Sequence, residues 1–564
     1  MPAKARLFSN LVLVPLVAAL AWQSGATAQT AQVTPSTMPR VGAVDERYQS
    51  YNIEMLEVTG GRFWRPYDEL RAALQQPAPA GGDGYTPSGM NPALYQYRPP
   101  LDLTNARLRK LAAALGPAYV RVSGTWANTT YFAETEQAPK EPPPGFGGVL
   151  TQQQWRGVID FSKAANADIA TSFAIGVGTR NSAGVWTTDH AKRWLDFTRA
   201  AGGRIAAAEW MNEPTVAAMG GAPQGFDAAA YGRDFKIFHA FAKQAAPDML
   251  IVGPSSVGEA NADWAVAAGY GTDVLLPARD LVAASQPARV DAFSYHHYGA
   301  VSIRCAATGP RTQTTPEAAL TEQWLARTDQ TLAYYRSIRD EFEPGKPFWN
   351  TETGETACGG NPWAKTFLDT FRYLDQLGRL AKQQVAVVAH NTLAASDYAL
   401  LDEKTFAPRP SYWGALLWRR LMGTTVLDAG VPIREGLHVY AHCLRGTPGG
   451  VAMLAINNSR TQTTSITVPG EAERYTLAAS QPESATVQLN GQELRLGSND
   501  ELPQLRGRRV PSGALELAPA SITFLAVAGA GTGTCREGKG EPPTDAAGGG
   551  RWQSGWRSRE DARS

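Results

Sequence analysis

The chain has 564 residues, 43% apolar and 19% charged, a make-up that suits a globular protein with a sizeable core and room for one large domain plus a smaller one. Its 53 basic and 52 acidic residues leave a formal charge of +1. That balance gives no electrostatic reason to expect a nucleic-acid partner or a membrane surface.

Residues 1–28 read as a signal peptide rather than as structure. MPAKAR supplies a basic start, LVLVPLVAALAW an apolar stretch, and Ala26-Thr27-Ala28 a small-residue cleavage site. The apolar stretch is too short for a transmembrane helix and no Cys follows the site. The expectation is an exported protein, periplasmic or secreted, with no membrane association after cleavage. Export bears on Cys305, Cys358, Cys443 and Cys535, because an even number of cysteines in an oxidising compartment favours disulfides over metal ligation. Three pairings are open to them, and without a CxxC pair no zinc site is expected.

Residues 29–44 read as a flexible leader. From 45 to 410, apolar runs alternate with amphipathic segments. SYNIEML, AYVRVSG, ADIATSFAIG, IAAAEWMNEP, MLIVGPSS, DAFSYHHYG, KPFWNTETG and VAVVAHNTLAA predict eight strands. Between them, TTDHAKRWLDFTRAAGG and WAKTFLDTFRYLDQLGRLAKQ place apolar residues at i, i+3, i+4 and i+7, as helices do. Alternation of this kind predicts a (β/α)8 TIM barrel, with active-site groups at the carboxyl ends of its strands. Two Pro/Gly-rich stretches, 75–89 and 139–148, read as surface loops. From 411 to 535 the runs become short and β-branched, as in LHVYAHCLRG and SITFLAVAG, and predict an appended β-sandwich. The tail, 536–564, is rich in Gly, Pro and charge and is expected to be disordered.

The fourth apolar run ends on Asn212-Glu213-Pro214. An unpaired carboxylate is costly to bury, so this strand either pairs the charge or presents it for chemistry. The seventh run, in PFWNTETGET, offers Glu352 and Glu355 at the corresponding place. Two carboxylates brought by different strands to one barrel mouth suit glycoside hydrolysis, where one protonates the leaving oxygen and the other attacks the sugar or activates water. An isolated Asn-Glu-Pro also starts helices; the matching carboxylate three strands on gives it weight. His296-His297 could ligate a metal or pack in a core. With no third ligand motif, neither a metal nor a cofactor is expected.

These residues resemble the heparanase and β-glucuronidase family of retaining glycoside hydrolases, glycoside hydrolase family 79. Asn212-Glu213-Pro214 is similar to its acid/base motif, Trp349-Asn350-Thr351-Glu352-Thr353 to its nucleophile motif, and His296-His297-Tyr298 to its segment after strand six. LGPAYVRVSGT, SDYALLDE, PSYWGALLWRRLMGTTVL and VQLNG extend the resemblance over most of residues 45–535. It implies Glu213 as general acid/base, Glu352 as nucleophile in preference to Glu355, and Asn212 as a donor to the sugar 2-OH. It also implies Tyr298 as a hydrogen bond to the nucleophile, His296 beside it, and Tyr398 with the backbone N–H groups of Gly359-Gly360 as a uronate site. Thr125 and Glu54 are further candidates for sugar contacts. In this chain Cys358 stands where the family often has Tyr, and Glu54 replaces an expected Asp. The resemblance further implies that Cys443 pairs with Cys535, leaving Cys305 for Cys358. The expected function is retaining exo-β-D-glucuronidase action on a uronic-acid-containing oligo- or polysaccharide, with carboxylates about 5–5.5 Å apart. Endo-cleavage of heparan sulfate and a catalytically silent sugar-binding protein are the alternatives.

Overall fold

The computed structural model describes residues 30–75, 86–87, 90–260, 275–308 and 310–536. The expected signal peptide, the tail beyond 536 and nearly all of the 75–89 loop lie outside the described residues.

Eight parallel strands close into a barrel in chain order. They are β1 (Gln49–Glu54), β2 (Ala118–Ser123), β3 (Ala167–Ser172), β4 (Ile205–Glu209), β5 (Leu250–Ser256), β6 (Ala292–His297), β7 (Phe348–Thr353) and β8 (Val385–His390). Each falls within one of the eight apolar runs, except that β1 starts one residue earlier, at Gln49. A parallel strand is covered on both faces, inside by barrel side chains and outside by helices, so it needs apolar residues continuously rather than alternately. The helices around it include α1 (Ala106–Leu115), α2 (Gln152–Ala165), α3 (Asp189–Ala200), α4 (Ala228–Ala245), α5 (Ala278–Ser285), α6 (Arg327–Phe342), α7 (Phe367–Lys382) and α8 (Pro410–Leu421). Thr151 and Gln154 form a reciprocal cap at the start of α2, satisfying two backbone N–H groups that the helix cannot.

Helix α8 lies inside the stretch expected to be sandwich. It packs on α7 and α1 and completes the helical ring; Pro410 sits in its first turn, where a missing N–H costs nothing. The β-rich part therefore begins at Met422. Its larger sheet runs, in spatial order, through Arg40–Ala43, β9 (Met422–Leu427), β10 (His438–Leu444), β11 (Val451–Asn457), β15 (Ser521–Val527) and β13 (Ala472–Ala478). A smaller sheet of Ala31–Gln32, β12 (Thr464–Val468) and β14 (Gly513–Leu517) faces it. Val439, Ala441, Val451, Met453 and Leu525 point between the two sheets, while Tyr440, Leu454, Ile456 and Phe524 on the alternate positions join the barrel's core. That is the period of two expected of a sheet packed on both faces.

The leader is a correction. Residues 30–43 are not loose: Ala31 and Gln32 pair with Ile466 and Thr467, and Arg40–Ala43 pair with β9. Val33 and Met38 are buried in the sandwich core between them. Two disulfides form, Cys305–Cys358 beside the barrel mouth and Cys443–Cys535 in the sandwich.

Candidate active site

Strand β4 ends at Glu209, and Trp210–Asn212 carry the chain over the barrel mouth to Glu213. Glu213 takes a left-handed backbone conformation (φ +48°), which costs a non-glycine residue roughly 1–2 kcal/mol. Such strain persists only where the surroundings over-determine it, as here before the Pro214–Val216 turn. Glu352 lies on β7 itself, in register with His296 on β6. A carboxylate oxygen of Glu213, one of Glu352 and a ring nitrogen of His296 lie within 4.8 Å of one another.

Arg121, from β2, organises this cluster while only 2% exposed. Its guanidinium donates to Glu209 Oε2 (2.7 Å), Glu352 Oε2 (2.8 Å) and Asn212 Oδ1 (2.8 Å). It also meets His296 Nε2 at 3.3 Å. Arginine can only donate, so Nε2 accepts and the imidazole proton sits on Nδ1, 2.9 Å from Glu213 Oε1. Burial depresses the His296 pKa to about 4, so the ring is neutral near pH 7. Glu213 therefore receives a hydrogen bond on Oε1, which leaves Oε2 as the oxygen able to carry a proton. Tyr298 donates to the other oxygen of Glu352 at 2.8 Å, so both Glu352 oxygens accept, the pattern of a carboxylate anion.

Burial raises the Glu213 pKa to about 7; Arg121 opposes the rise and the charge on Glu209 adds to it. The like charge thus comes from Glu209, not from Glu352 as the two-carboxylate pattern suggests. Burial acts on Glu209 too, but Arg121, His296 and Ser255 together outweigh it and hold that carboxyl below its usual range. Arg121 bonds Glu209 directly, and the carboxyls of Glu209 and Glu213 are shifted in opposite directions. Glu213, His296 and Glu352 are also the set that could hold a metal ion, although Arg121 already supplies a fixed cation to Glu352.

A second polar group surrounds Asn391, which follows β8. Its amide donates to Glu54 Oε1 (3.0 Å), Tyr298 Oη (2.9 Å) and Tyr398 Oη (3.1 Å). The other oxygen of Glu54 is buried and has no partner, and it packs on Gly124, where a Cβ would stand 1.6 Å from it. Only glycine fits at 124, whose φ of +94° also favours it. Burial, followed by the charge of Glu352, pushes the Glu54 carboxyl well above its usual range.

Both groups open into one pocket of about 840 Å³ including its mouth, within the range of small-molecule sites. Glu54, Thr125, Glu213, Tyr298, Glu352, Asn391 and Tyr398 form its polar floor, and Trp64, Tyr95, Trp126, Met219, Val257 and Val301 form much of its wall. Of the residues expected at the site, Asn212 and His296 stand behind this surface, His296 against Glu213 and Asn212 against Arg121 and Asn128. Gly359-Gly360 depart from expectation. The Gly360 N–H donates to Thr356 O at 3.2 Å, and the wall at this point is Ala357 and Cys358. Both glycines have φ near +80°, and a Cβ on Gly359 would meet Trp64 and Arg304 at 2.7 Å. Glu355 turns away, bonded to Thr356 and Asn361. Arg121, Glu209 and Asn391 escaped the reading of the sequence. The first two had a signal, a charged residue interrupting the apolar runs AYVRVSG and IAAAEW; Asn391 had none.

The model for the N-terminal domain of glycosyl hydrolase family 79 matches residues 99–378. The chain is 28% identical to mouse (Mus musculus) heparanase over 503 residues, 77% of this chain and 88% of that protein. It is 32% identical to baicalin-β-D-glucuronidase of Scutellaria baicalensis over 190 residues, 32% of this chain and 36% of that one. Among solved structures, a 4-O-α-L-rhamnosyl-β-D-glucuronidase from Fusarium oxysporum superposes with a TM-score of 0.57 at 14% identity. That match covers 88% of this chain and 100% of the fungal one, and it speaks to the fold.

Proposed function

Because the chain belongs to glycoside hydrolase family 79 and is a glycoside hydrolase, we propose that it is a retaining exo-β-D-glucuronidase, with Glu213 as acid/base and Glu352 as nucleophile. The observation that carries this reading is the approach of the two carboxylates to within 4.8 Å in unlike surroundings. A direct attack leaves no room for an intervening water, and retaining enzymes hold their carboxyl groups about 5–5.5 Å apart. Glu352, its oxygens fixed by Tyr298 and Arg121, attacks the anomeric carbon while Glu213 Oε2 protonates the departing oxygen. Glu213, now anionic, then takes a proton from the water that hydrolyses the glycosyl-enzyme. Glu54, whose carboxyl burial pushes upward, and the hydroxyl of Tyr398 face the sugar as hydrogen-bonding groups beside Asn391.

Exo action is favoured by the wall around these groups. Trp64 stacks on Tyr95 with centroids 4.6 Å apart, and the Cys305–Cys358 bridge closes the side between β6 and β7. Among the described residues no Lys or Arg lines the pocket, as a sulfated chain threading through it would require. The protein is further proposed to be exported: its four cysteines form two disulfides, which persist in oxidising compartments. No helix among the described residues is long and apolar enough to cross a membrane.

Hydrolysis of p-nitrophenyl β-D-glucuronide and of heparan sulfate oligosaccharides tests the assignment, with a uronic-acid cyclophellitol-type inhibitor to label the nucleophile. Free glucuronic acid as the first product and a covalent label on Glu352 are expected. Products larger than a monosaccharide would favour endo-cleavage instead, and a label on Glu355 would reject the nucleophile.

A further inference from the structure

The pocket combines a polar group of side chains with an apolar wall. Glu54, Glu352, Tyr298 and Tyr398 gather about Asn391, while Trp64, Trp126, Met219, Val257, Val301 and the Cys305–Cys358 bridge supply apolar lining. These last belong to a hydrophobic cluster over the barrel mouth, separate from the barrel core. Glu213 is tied into that wall by its own turn. The Val216 N–H donates to Glu213 O (3.1 Å), the Met219 N–H to Val216 O (3.0 Å), and the Val257 N–H to Thr215 Oγ1 (3.2 Å). The oxygen that Glu213 protonates therefore departs along a thioether, aliphatic and indole surface.

A sugar leaving group would bring several hydroxyls to that surface, and a sulfated one a charge. Hydroxyls buried without partners lose their water hydrogen bonds and gain none. A sulfate would face the Glu352 carboxylate with no Lys or Arg among the described lining residues. Flat apolar groups suit such walls, which offer faces for stacking and few hydrogen-bond partners. Building on the glucuronidase reading above, we infer that the leaving-group side of this site is made for an apolar, aromatic aglycone rather than for an amino sugar or its sulfate.

Leaving-group reactivity would confuse a comparison of rates, so the test compares binding. β-D-glucuronyl fluoride serves as reporter substrate, and S-linked β-glucuronides that cannot be cleaved serve as competitors: methyl, phenyl, and 6-O-sulfoglucosamine thioglycosides. The phenyl compound is expected to inhibit at least about tenfold more tightly than the methyl compound, by burial of one ring. The sulfated compound is expected to bind no more tightly than the methyl one. Val257→Lys should reduce the phenyl preference and strengthen inhibition by the sulfated compound; an unchanged ranking in the folded variant would count against the assigned wall. Equal inhibition by phenyl and methyl compounds, or tighter binding of the sulfated one, overturns the inference while leaving the glucuronidase reading intact. Failure to hydrolyse glucuronyl fluoride at all overturns that reading, and this inference with it.

Discussion

Arg121 donates to Glu209, Glu352 and Asn212 with one guanidinium, so acceptors on β4, β7 and the loop after β4 depend on a single planar cation. A lysine is a point charge and cannot span them. Arg121→Lys should fold yet lose most of kcat, because Glu352 loses its fixed orientation. Arg121→Ala leaves two buried carboxylates without a counter-charge and should destabilise the fold by about 3–5 kcal/mol. Wild-type kcat in the lysine variant would show that the guanidinium does not position Glu352. Glu209 supports a second expectation. The acid must hold its proton, so kcat/KM should fall as pH rises through about 7, the value to which burial lifts Glu213. The Glu209 charge contributes to that lift, so Glu209→Gln lets the Arg121 cation act on Glu213 less opposed. Its alkaline limb should move to lower pH, and a limb that stays in place or moves up would refute the coupling. At this scale the two carboxylates were legible because each interrupts or ends an apolar run. The identity of the group raising Glu213 was not, because sequence order cannot say which of two nearby carboxylates is neutralised by an arginine.

At the scale of elements, residues 30–43 bind the first described part of the chain to the sandwich. Val33 and Met38 are 0% and 3% exposed, and burying each is worth about 1.5–3 kcal/mol. Deleting 30–43 should therefore cost several kcal/mol, lower the thermal midpoint and bare the edge of β9, inviting self-association. Thermal unfolding with light scattering reads both, and an unchanged midpoint would mean that these strands add nothing. The eight barrel strands were legible because two-sided burial writes an unbroken apolar run. The leader strands were not, since pairs of two and four residues leave no period to detect and their partners lie more than 380 positions away. Helix α8 was grouped with the sandwich for a related reason: its apolar face continues directly into β9, and the one turn-type residue at the boundary, Gly423, lies inside that strand.

The whole molecule depends on how barrel and sandwich are joined, and α7 is the joint. Almost every residue of α7 is buried, including Asp369, Arg372, Asp375 and Arg379. Asp375 accepts from Tyr440 Oη (2.6 Å) and bonds His438 Nδ1 (2.5 Å), both on β10. Arg379 donates to Asp375, Asp329 and Glu322, and Glu322 lies 3.1 Å from the other nitrogen of His438 as an ion-pair contact. Burial alone would lower the His438 pKa, but the Asp375 carboxylate outweighs it and raises the value to about 9. Burial likewise opposes ionisation of Asp375, and His438 overcomes it, holding that carboxyl at about 2. The unfolded chain has histidine near 6.5 and aspartate near 3.9. The histidine's contribution is then complete below about pH 6.5 and is lost as pH rises through about 9, while the aspartate's is present above about 3.9 and is lost as pH falls through about 2. His438→Gln keeps a hydrogen-bonding side chain but removes the cation, leaving Asp375 with Arg379 and Tyr440 alone. Between pH 7 and 9.5 the thermal midpoint of the wild type should decline more steeply than that of the variant, and the two should converge at the alkaline end. Parallel curves across that window would show that His438 is not charged in the folded protein, and the joint would then rest on α7 packing and the Arg379 network alone.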